Sequence, residues 1–131
     1  MSIDSIRTLC RSLPRVTEDI KWGDDLVFSV GGKMFVVLML EPPHRLSFKC
    51  DPETFAELVE REGIIPAPYL ARAMWVSLES LDDAMDAPEL GKRIRRSYEL
   101  VKAGLPKRIL AEFDRRAPDK PARRVARPSG R

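Results

Sequence analysis

The 131-residue chain has one histidine, two cysteines and 7% aromatic residues, and these low counts exclude several kinds of site. The single histidine, His44, follows two prolines in a predicted turn and belongs to no metal-ligand motif. A lone histidine in a turn supports neither a zinc site nor a Ser-His-Asp or Cys-His catalytic arrangement. We therefore expect no enzymatic activity, no cofactor and no bound metal.

Long apolar segments are also missing from the sequence. No apolar run is long enough to span a bilayer, and the first residues lack the basic and apolar regions of a signal peptide. Cys10 and Cys50 fall in a predicted helix and a predicted strand, and we expect each to be a buried free thiol rather than half of a disulfide. The sequence thus predicts a cytoplasmic protein without a membrane partner.

The 23 basic and 20 acidic residues are unevenly distributed along the chain. Residues 1–91 hold 9 lysines and arginines against 16 acidic residues, whereas residues 92–131 hold 14 against 4. A positively charged last third can attract nucleic-acid phosphates. The acidic first two-thirds repel phosphates unless the two kinds of charge are segregated in space.

Hydrophobic periodicity predicts helices on both sides of a set of strands. Helices are expected over 3–13, from 52 to about 62, over 88–103 and over 106–115. Strands are expected over 16–21, 25–30, 33–39, 46–50 and 74–78. Residues 1–115 then form one domain, and residues 116–131, rich in proline, alanine, arginine and glycine, are expected to be a disordered basic tail.

The strand register can be predicted from the turns. Gly31-Gly32 is typical of a two-residue hairpin loop, which would pair Phe28 with Phe35. The next turn would then pair Val37 with Phe48. Because side chains alternate between faces, the two hairpins predict a single core face. Its members are Leu26, Phe28, Val30, Phe35, Val37, Met39, Leu46, Phe48 and Cys50.

The opposite face of the predicted sheet is half apolar and half polar. Its members are Asp25, Val27, Ser29, Met34, Val36, Leu38, Arg45, Ser47 and Lys49. A face of this kind is covered by a loop, packed against a second subunit, or used to bind a ligand. The sequence leaves these three alternatives open.

Two further features bear on binding. Trp75 alternates with Val76, so one of the two faces away from the core; Trp75 either stacks on a base or is covered by segment 64–69. Four basic residues between Lys92 and Arg96 lie within two turns of a predicted helix. They form either a solvated helix face or a contact surface for phosphates.

Several short motifs punctuate the chain between residues 22 and 107. They are Trp22-Gly23-Asp24-Asp25, Phe28 to Phe35 with its central Gly31-Gly32, Leu46-Ser47-Phe48-Lys49, Gly63 to Tyr69, Trp75-Val76, Ser97 to Val101 and Leu105-Pro106-Lys107. In this order they resemble the MmcQ/YjbR family of small bacterial proteins over roughly residues 3–110. The resemblance implies a CyaY-like fold of the α/β (α+β) class. This is a two-layer sandwich whose mainly antiparallel five-stranded sheet carries its helices on one face.

The same resemblance implies DNA binding by a double wing. By matching motif, the first wing is the Gly31-Gly32 hairpin with Lys33 near its tip. The second is the Pro42-Pro43 turn with His44 and Arg45. The tail after residue 115 lies beyond the part of the chain that resembles the family.

These observations lead to one main hypothesis and one alternative. The main hypothesis is a monomeric, non-enzymatic module that binds DNA or another nucleic acid. Its candidate contacts are Lys33, Arg45, Lys49, Lys92, Arg93, Arg95, Arg96, Lys107 and Arg108. Tyr69 and Trp75 are candidates for stacking or for lining a pocket. The alternative is a module that binds a protein or a small molecule through the amphipathic sheet face, without catalysis.

Overall fold

A computed structural model describes residues 1–81 and 84–115. Six antiparallel strands form one sheet in the order β1-β2-β3-β4-β6-β5. The strands are β1 (Val16–Lys21), β2 (Asp25–Val30), β3 (Lys33–Met39), β4 (Leu46–Lys49), β5 (Ile64–Pro66) and β6 (Trp75–Leu78). The α-helices of the described residues are α1 (Ile3–Ser12), α2 (Pro52–Leu58), α3 (Ala87–Ala103) and α4 (Lys107–Arg115). This α+β arrangement confirms the predicted fold class, whereas the tail at residues 116–131 lies outside the described residues.

The sheet has one strand more than the five that the sequence predicts. The additional strand is β5, a three-residue strand at the edge of the sheet that pairs with β6. Pro66 has no backbone N–H to donate, and prolines in sheets are confined to such edges or to bulges. The prolines of segment 63–68 therefore exclude a helix, as expected, but not an edge strand.

A bulge in β3 overturns part of the predicted register. The pairing starts as expected, with Val30 opposite Lys33, but then skips Phe35, so that Phe28 lies opposite Val36. One extra residue in a strand moves every later side chain to the other face of the sheet. The predicted register is therefore correct at the hairpin tip and wrong over the second half of β3.

The bulge changes which side chains face the helices. Val36 and Leu38 are fully buried in the core beneath α1 and α3, whereas Val37 and Met39 are half-buried on the opposite face. The predicted core face is wrong at Val37 and Met39. It is confirmed at the remaining positions, which are Leu26, Phe28, Val30, Phe35, Leu46, Phe48 and Cys50.

The Ser97 hydroxyl of α3 satisfies two backbone groups of the sheet at the bulge. Ser97 Oγ donates a hydrogen bond to the carbonyl oxygen of Phe35 at 2.7 Å and accepts one from the Lys49 N–H at 2.9 Å. Beside it, Tyr98 donates to the carbonyl oxygen of Pro14 at 2.7 Å, and its ring meets Phe35 edge-on, with centroids 5.4 Å apart. Through these hydrogen bonds and this ring contact, Ser97 and Tyr98 bind α3 to the sheet.

The observed register predicts unequal effects for two neighbouring valines. Val36→Ala is expected to lower the free energy of unfolding by about 2 kcal/mol, because two buried methyl groups are lost and a cavity is left. Val37→Ala is expected to cost less than about 1 kcal/mol, since the side chain is half-buried and its environment can rearrange. Urea unfolding of both variants, followed by circular dichroism, measures the difference. Equal losses, or a larger loss at Val37, would contradict the bulge.

Candidate nucleic-acid interface and sheet-face pocket

The basic residues of α3 do not form a continuous positive patch. Arg96 donates two hydrogen bonds to the Asp51 carboxylate, both at 2.9 Å. These hydrogen bonds are the main reason why the pKa of Asp51 is lowered. Arg93 lies 3.5 Å from the Glu89 carboxylate, which also accepts hydrogen bonds from Arg61 at 3.0 and 2.7 Å. Two of the predicted phosphate contacts, Arg93 and Arg96, are thus occupied by carboxylates within the fold.

Four other predicted contacts lie on the surface. Lys92 and Arg95 are exposed on α3, and Lys107 and Arg108 are exposed in the first turn of α4. None of the four forms an ion pair with another residue of the described chain. Their charges are therefore available to a partner.

The tip of the β2–β3 hairpin packs against the junction of α3 and α4. Gly31 has φ +58, and a Cβ atom placed on it would lie 2.6 Å from a side-chain carbon of Leu105. Lys107 and Arg108 follow Leu105 by two and three positions, so Lys33, at the hairpin tip, shares one end of the molecule with them. We call Lys33, Lys107 and Arg108 the basic end.

The turn between β3 and β4, which is the second predicted wing, folds back onto the sheet. His44 Nδ1 lies 3.2 Å from the carbonyl oxygen of Met39, and the carbonyl oxygen of Pro43 accepts a hydrogen bond from the Leu81 N–H at 3.2 Å. Arg45 is half-buried and lines a pocket on the sheet face. Arg45 therefore belongs with that pocket rather than with the basic end.

Segment 67–74 covers one side of the sheet face and holds two predicted site residues in place. The Ala67 N–H donates to the carbonyl oxygen of Trp75 at 3.0 Å, and the Trp75 side chain is only 4% exposed. The ammonium group of Lys49 donates to the carbonyl oxygen of Ala73. Trp75 is thus buried and closed off from a nucleobase, and the backbone bonded to it belongs to segment 67–74, since residues 64–66 of the expected covering segment form β5.

A pocket of about 350 Å³ lies on the face of the sheet opposite α1 and α3. Its floor includes the half-buried side chains of Met34, Val37 and Met39, which the β3 bulge brings to the same face. The hydroxyl groups of Ser47 and Ser77 also line it and are hydrogen-bonded to each other at 2.6 Å. We call this the sheet-face pocket; it combines an apolar floor with a small polar centre.

Two exposed aromatic residues form the rim of the sheet-face pocket. Trp22, in the β1–β2 turn, is 68% exposed, and Tyr69, in segment 67–74, is 103% exposed. Both have positive φ, 52° and 68°. The sequence predicts a role for Tyr69 but not for Trp22. The only signal for Trp22 was a large aromatic ring in a turn, next to Gly23.

Opposite charges also line the sheet-face pocket. Asp25 and Arg45 both contribute to its wall. The pKa of Asp25 is raised, first because the carboxyl group is partly removed from water and then because the negative charge of Asp24 lies nearby. The pocket therefore offers both hydrogen-bond donors and a carboxyl group beside an apolar floor.

Neither of the two cysteine thiols is activated as a nucleophile. Cys10 and Cys50 are free and buried, which confirms the expectation from sequence. Burial raises the pKa of the Cys10 thiol to about 12 and that of the Cys50 thiol to about 11. Since the thiolate is the nucleophile, neither residue is activated at neutral pH.

Two negative findings apply to residues 1–81 and 84–115. No helix there has both the length and the apolar character needed to cross a membrane. The same residues contain no group of three or more His, Cys, Asp or Glu side chains placed to hold a metal ion.

Comparison with known families identifies the relatives of this arrangement. A family model described as YjbR matches residues 11–100, a span that includes β1 to β6 and most of α3. The chain belongs to the YjbR family. The resemblance predicted from the short motifs is thus confirmed, and both the sheet-face pocket and the hairpin of the basic end lie within the matched span.

Solved structures support the same assignment. The YjbR chain is similar to protein DR2400 of Deinococcus radiodurans, whose crystal structure contains a domain of the family DUF419, with 34% identity and a TM-score of 0.77. That match covers 86% of this chain and 88% of the other. A Pseudomonas syringae crystal structure is 20% identical with a TM-score of 0.65, covers 77% of this chain and 99% of its own, and shows the fold alone. No curated protein matches the chain at a significant level.

Proposed function

We propose that this YjbR protein is a non-enzymatic nucleic-acid-binding domain that contacts phosphates through its basic end. The observation that supports the proposal most is the packing of the β2–β3 hairpin tip on Leu105. This packing supports a shared surface for Lys33, two residues after Gly31, and for Lys107 and Arg108, which closely follow Leu105. All three side chains are exposed and lack a carboxylate partner among the described residues. Clustered cations of this kind bind phosphates with little dependence on sequence.

Three of the 16 acidic residues in the first 91 positions form ion pairs with arginines. Glu18 pairs with Arg7 at 2.6 Å and with Arg11 at 3.7 Å. Asp51 and Glu89 are paired with arginines of α3 and with Arg61. Each of these pairs contributes little potential at long range, whereas the other acidic residues of this stretch still repel phosphates, so binding depends on the local charge of the basic end.

The cellular compartment and the oligomeric state of the domain also belong to the proposal. We propose a cytoplasmic protein, because free cysteines suit a reducing compartment. We also propose that it acts as a monomer, since phosphate contacts at one end of the domain need no second copy.

Neutralising the basic end is expected to weaken nucleic-acid binding and its salt dependence. The variant Lys33→Gln/Lys107→Gln/Arg108→Gln should lower affinity for duplexes of different sequence by similar factors. The slope of log affinity against log salt should fall by about 3, because each lost phosphate contact lowers it by about 1. Gel shifts or fluorescence anisotropy with mixed-sequence duplex and single strand, at low and high salt, measure both quantities.

The control removes the same charge from the helical side of the domain. Arg11→Gln/Lys92→Gln/Arg95→Gln should leave most of the affinity and of the salt slope in place. If this control weakens binding as much as the first variant, the basic end is not the contact surface. If the unmodified chain binds neither duplex nor single strand at micromolar concentration and low salt, the proposed function is wrong.

A shortened chain separates the basic end from the tail. Ending the chain at Arg115 removes residues 116–131, which carry five arginines and one lysine against one aspartate. The basic end should still bind phosphates in this chain, with a smaller salt slope than the full-length protein. If truncation abolishes binding and the triple variant of Lys33, Lys107 and Arg108 binds as well as the unmodified chain, the contacts belong to the tail instead.

A further inference from the structure

The two aromatic rings at the rim of the sheet-face pocket are exposed in a way that the fold does not require. Trp22 and Tyr69 lie on separate segments, the β1–β2 turn and segment 67–74, and both line the same pocket. With Ile20 they are the exposed large hydrophobic residues among those described. Aromatic side chains supply much of the contact energy in binding sites. Two of them on one rim indicate a surface for a flat partner.

Trp22 and Tyr69 share an uncommon backbone conformation. A positive φ is uncommon for residues other than glycine, and Trp22 and Tyr69 have φ 52° and 68°. Strained backbone of this kind is concentrated at ligand-binding and active sites, where the surrounding structure maintains it. The left-handed conformation therefore sets where each of the two side chains leaves the backbone beside the pocket.

The interior of the pocket matches the edges of a heterocyclic ring. Arg45 supplies hydrogen-bond donors, Asp25 supplies a carboxyl group, and the hydroxyl groups of Ser47 and Ser77 can donate or accept. A nucleobase presents donors and acceptors on its edges and apolar faces for stacking. A purely aliphatic ligand would leave these polar groups without partners.

The size and position of the pocket favour a small, compact ligand. Ligand pockets range from about 300 to 1,000 Å³, and the sheet-face pocket, at about 350 Å³, is at the lower end. It lies on the face of β3, β4 and β6 rather than at a sheet edge, where a peptide strand would add. We propose that the sheet-face pocket binds a single unpaired nucleobase, held between or against Trp22 and Tyr69 with its edge toward Arg45 and Asp25. Binding as part of a strand rests on the proposed nucleic-acid function, whereas binding of a free nucleoside does not.

Tryptophan fluorescence tests the inference directly on the full chain. The protein contains two tryptophans, of which Trp22 is exposed and Trp75 is buried. Adenosine, an oligodeoxyadenylate strand and an abasic strand of equal length are the probes. A nucleobase stacking on Trp22 should quench the emission of the exposed tryptophan, and the abasic strand should not.

Substitutions at the rim should remove the contribution of the base. Trp22→Leu and Tyr69→Leu are each expected to weaken binding of the base-containing strand by roughly 5- to 150-fold, the range measured for loss of one stacking side chain. Binding of the abasic strand should not change. Ile20→Ala is the matched control: it is an exposed apolar residue on the neighbouring strand β1 and does not line the pocket. Since Trp22 and Tyr69 are exposed, circular dichroism should show both leucine variants folded.

The possible results separate this inference from the proposed function. Quenching by adenosine with no binding of any strand would support the pocket and contradict the nucleic-acid function. Quenching by the base-containing strand alone would identify a strand as the source of the base. Equal, salt-sensitive binding of both strands, unaffected by either leucine variant, would overturn the inference while the nucleic-acid function stands. Absence of quenching by adenosine and by the oligodeoxyadenylate strand would also overturn it.

Discussion

Replacing Phe28 with alanine is expected to lower the free energy of unfolding by about 3–5 kcal/mol. Phe28 is fully buried in the core between the sheet and the helices. Truncation removes a large apolar side chain and leaves a cavity that close-packed neighbours fill only in part. Urea or guanidinium unfolding, followed by circular dichroism, measures the change in stability at neutral pH.

The matched control is Phe55→Ala, which removes the same atoms from α2. Phe55 is only partly buried and packs against the edge of the core. Its replacement should cost clearly less, because part of the ring already contacts water. A loss at Phe28 no greater than that at Phe55 would contradict a core centred on β2 and β3.

Replacing Ser97 with alanine is expected to lower the free energy of unfolding by about 2–4 kcal/mol, a large effect for the loss of one oxygen atom. The substitution removes the hydrogen-bond partner of the Phe35 carbonyl and of the Lys49 N–H. Each buried backbone group left without a partner costs about 1–3 kcal/mol. Ser97 is fully buried, so water reaches neither group without a rearrangement. The same denaturant experiment measures the loss.

A second serine provides the comparison for this prediction. Ser12, exposed at the end of α1, also donates its hydroxyl hydrogen to a backbone carbonyl, that of Leu9, at 2.6 Å. Ser12→Ala should change stability by less than about 0.5 kcal/mol, because water can replace the hydroxyl group at the surface. If the two alanine variants are equally stable, the hydroxyl of Ser97 does not stabilise the bulge.

The sequence predicts the helices and most strands of this fold, but it does not predict the register of β3. The limits of α1, β1 and α3 follow from apolar spacing and from Pro14, which are local signals. Residues 34–39 are apolar at every position, so shifting the strand by one residue exchanges one apolar face for another. Ser97, a polar residue on the inner face of α3, is the only sign in the sequence that a backbone group of β3 needs a partner.

For the candidate sites, too, the sequence predicts only the features that depend on residues close together in the chain. The exposure of Lys107 and Arg108 could be expected from their place at the start of a helix. The pairing of Arg96 with Asp51 could not be predicted, because the two residues are far apart in the chain. They meet only in the folded domain, where α2 begins beside α3. Trp22 was missed for the same reason, since its role at the rim depends on segment 67–74 reaching the same pocket.

The contact between Gly31 and Leu105 also bears on the entropy of binding. A hairpin that projects freely into solvent must be ordered when it meets a ligand, and that ordering reduces affinity. In this domain the hairpin tip already rests on the α3–α4 junction, where a Cβ atom at Gly31 would lie 2.6 Å from a side-chain carbon of Leu105. The backbone that carries Lys33 is therefore preorganised, and little of its freedom remains to be lost when a phosphate binds.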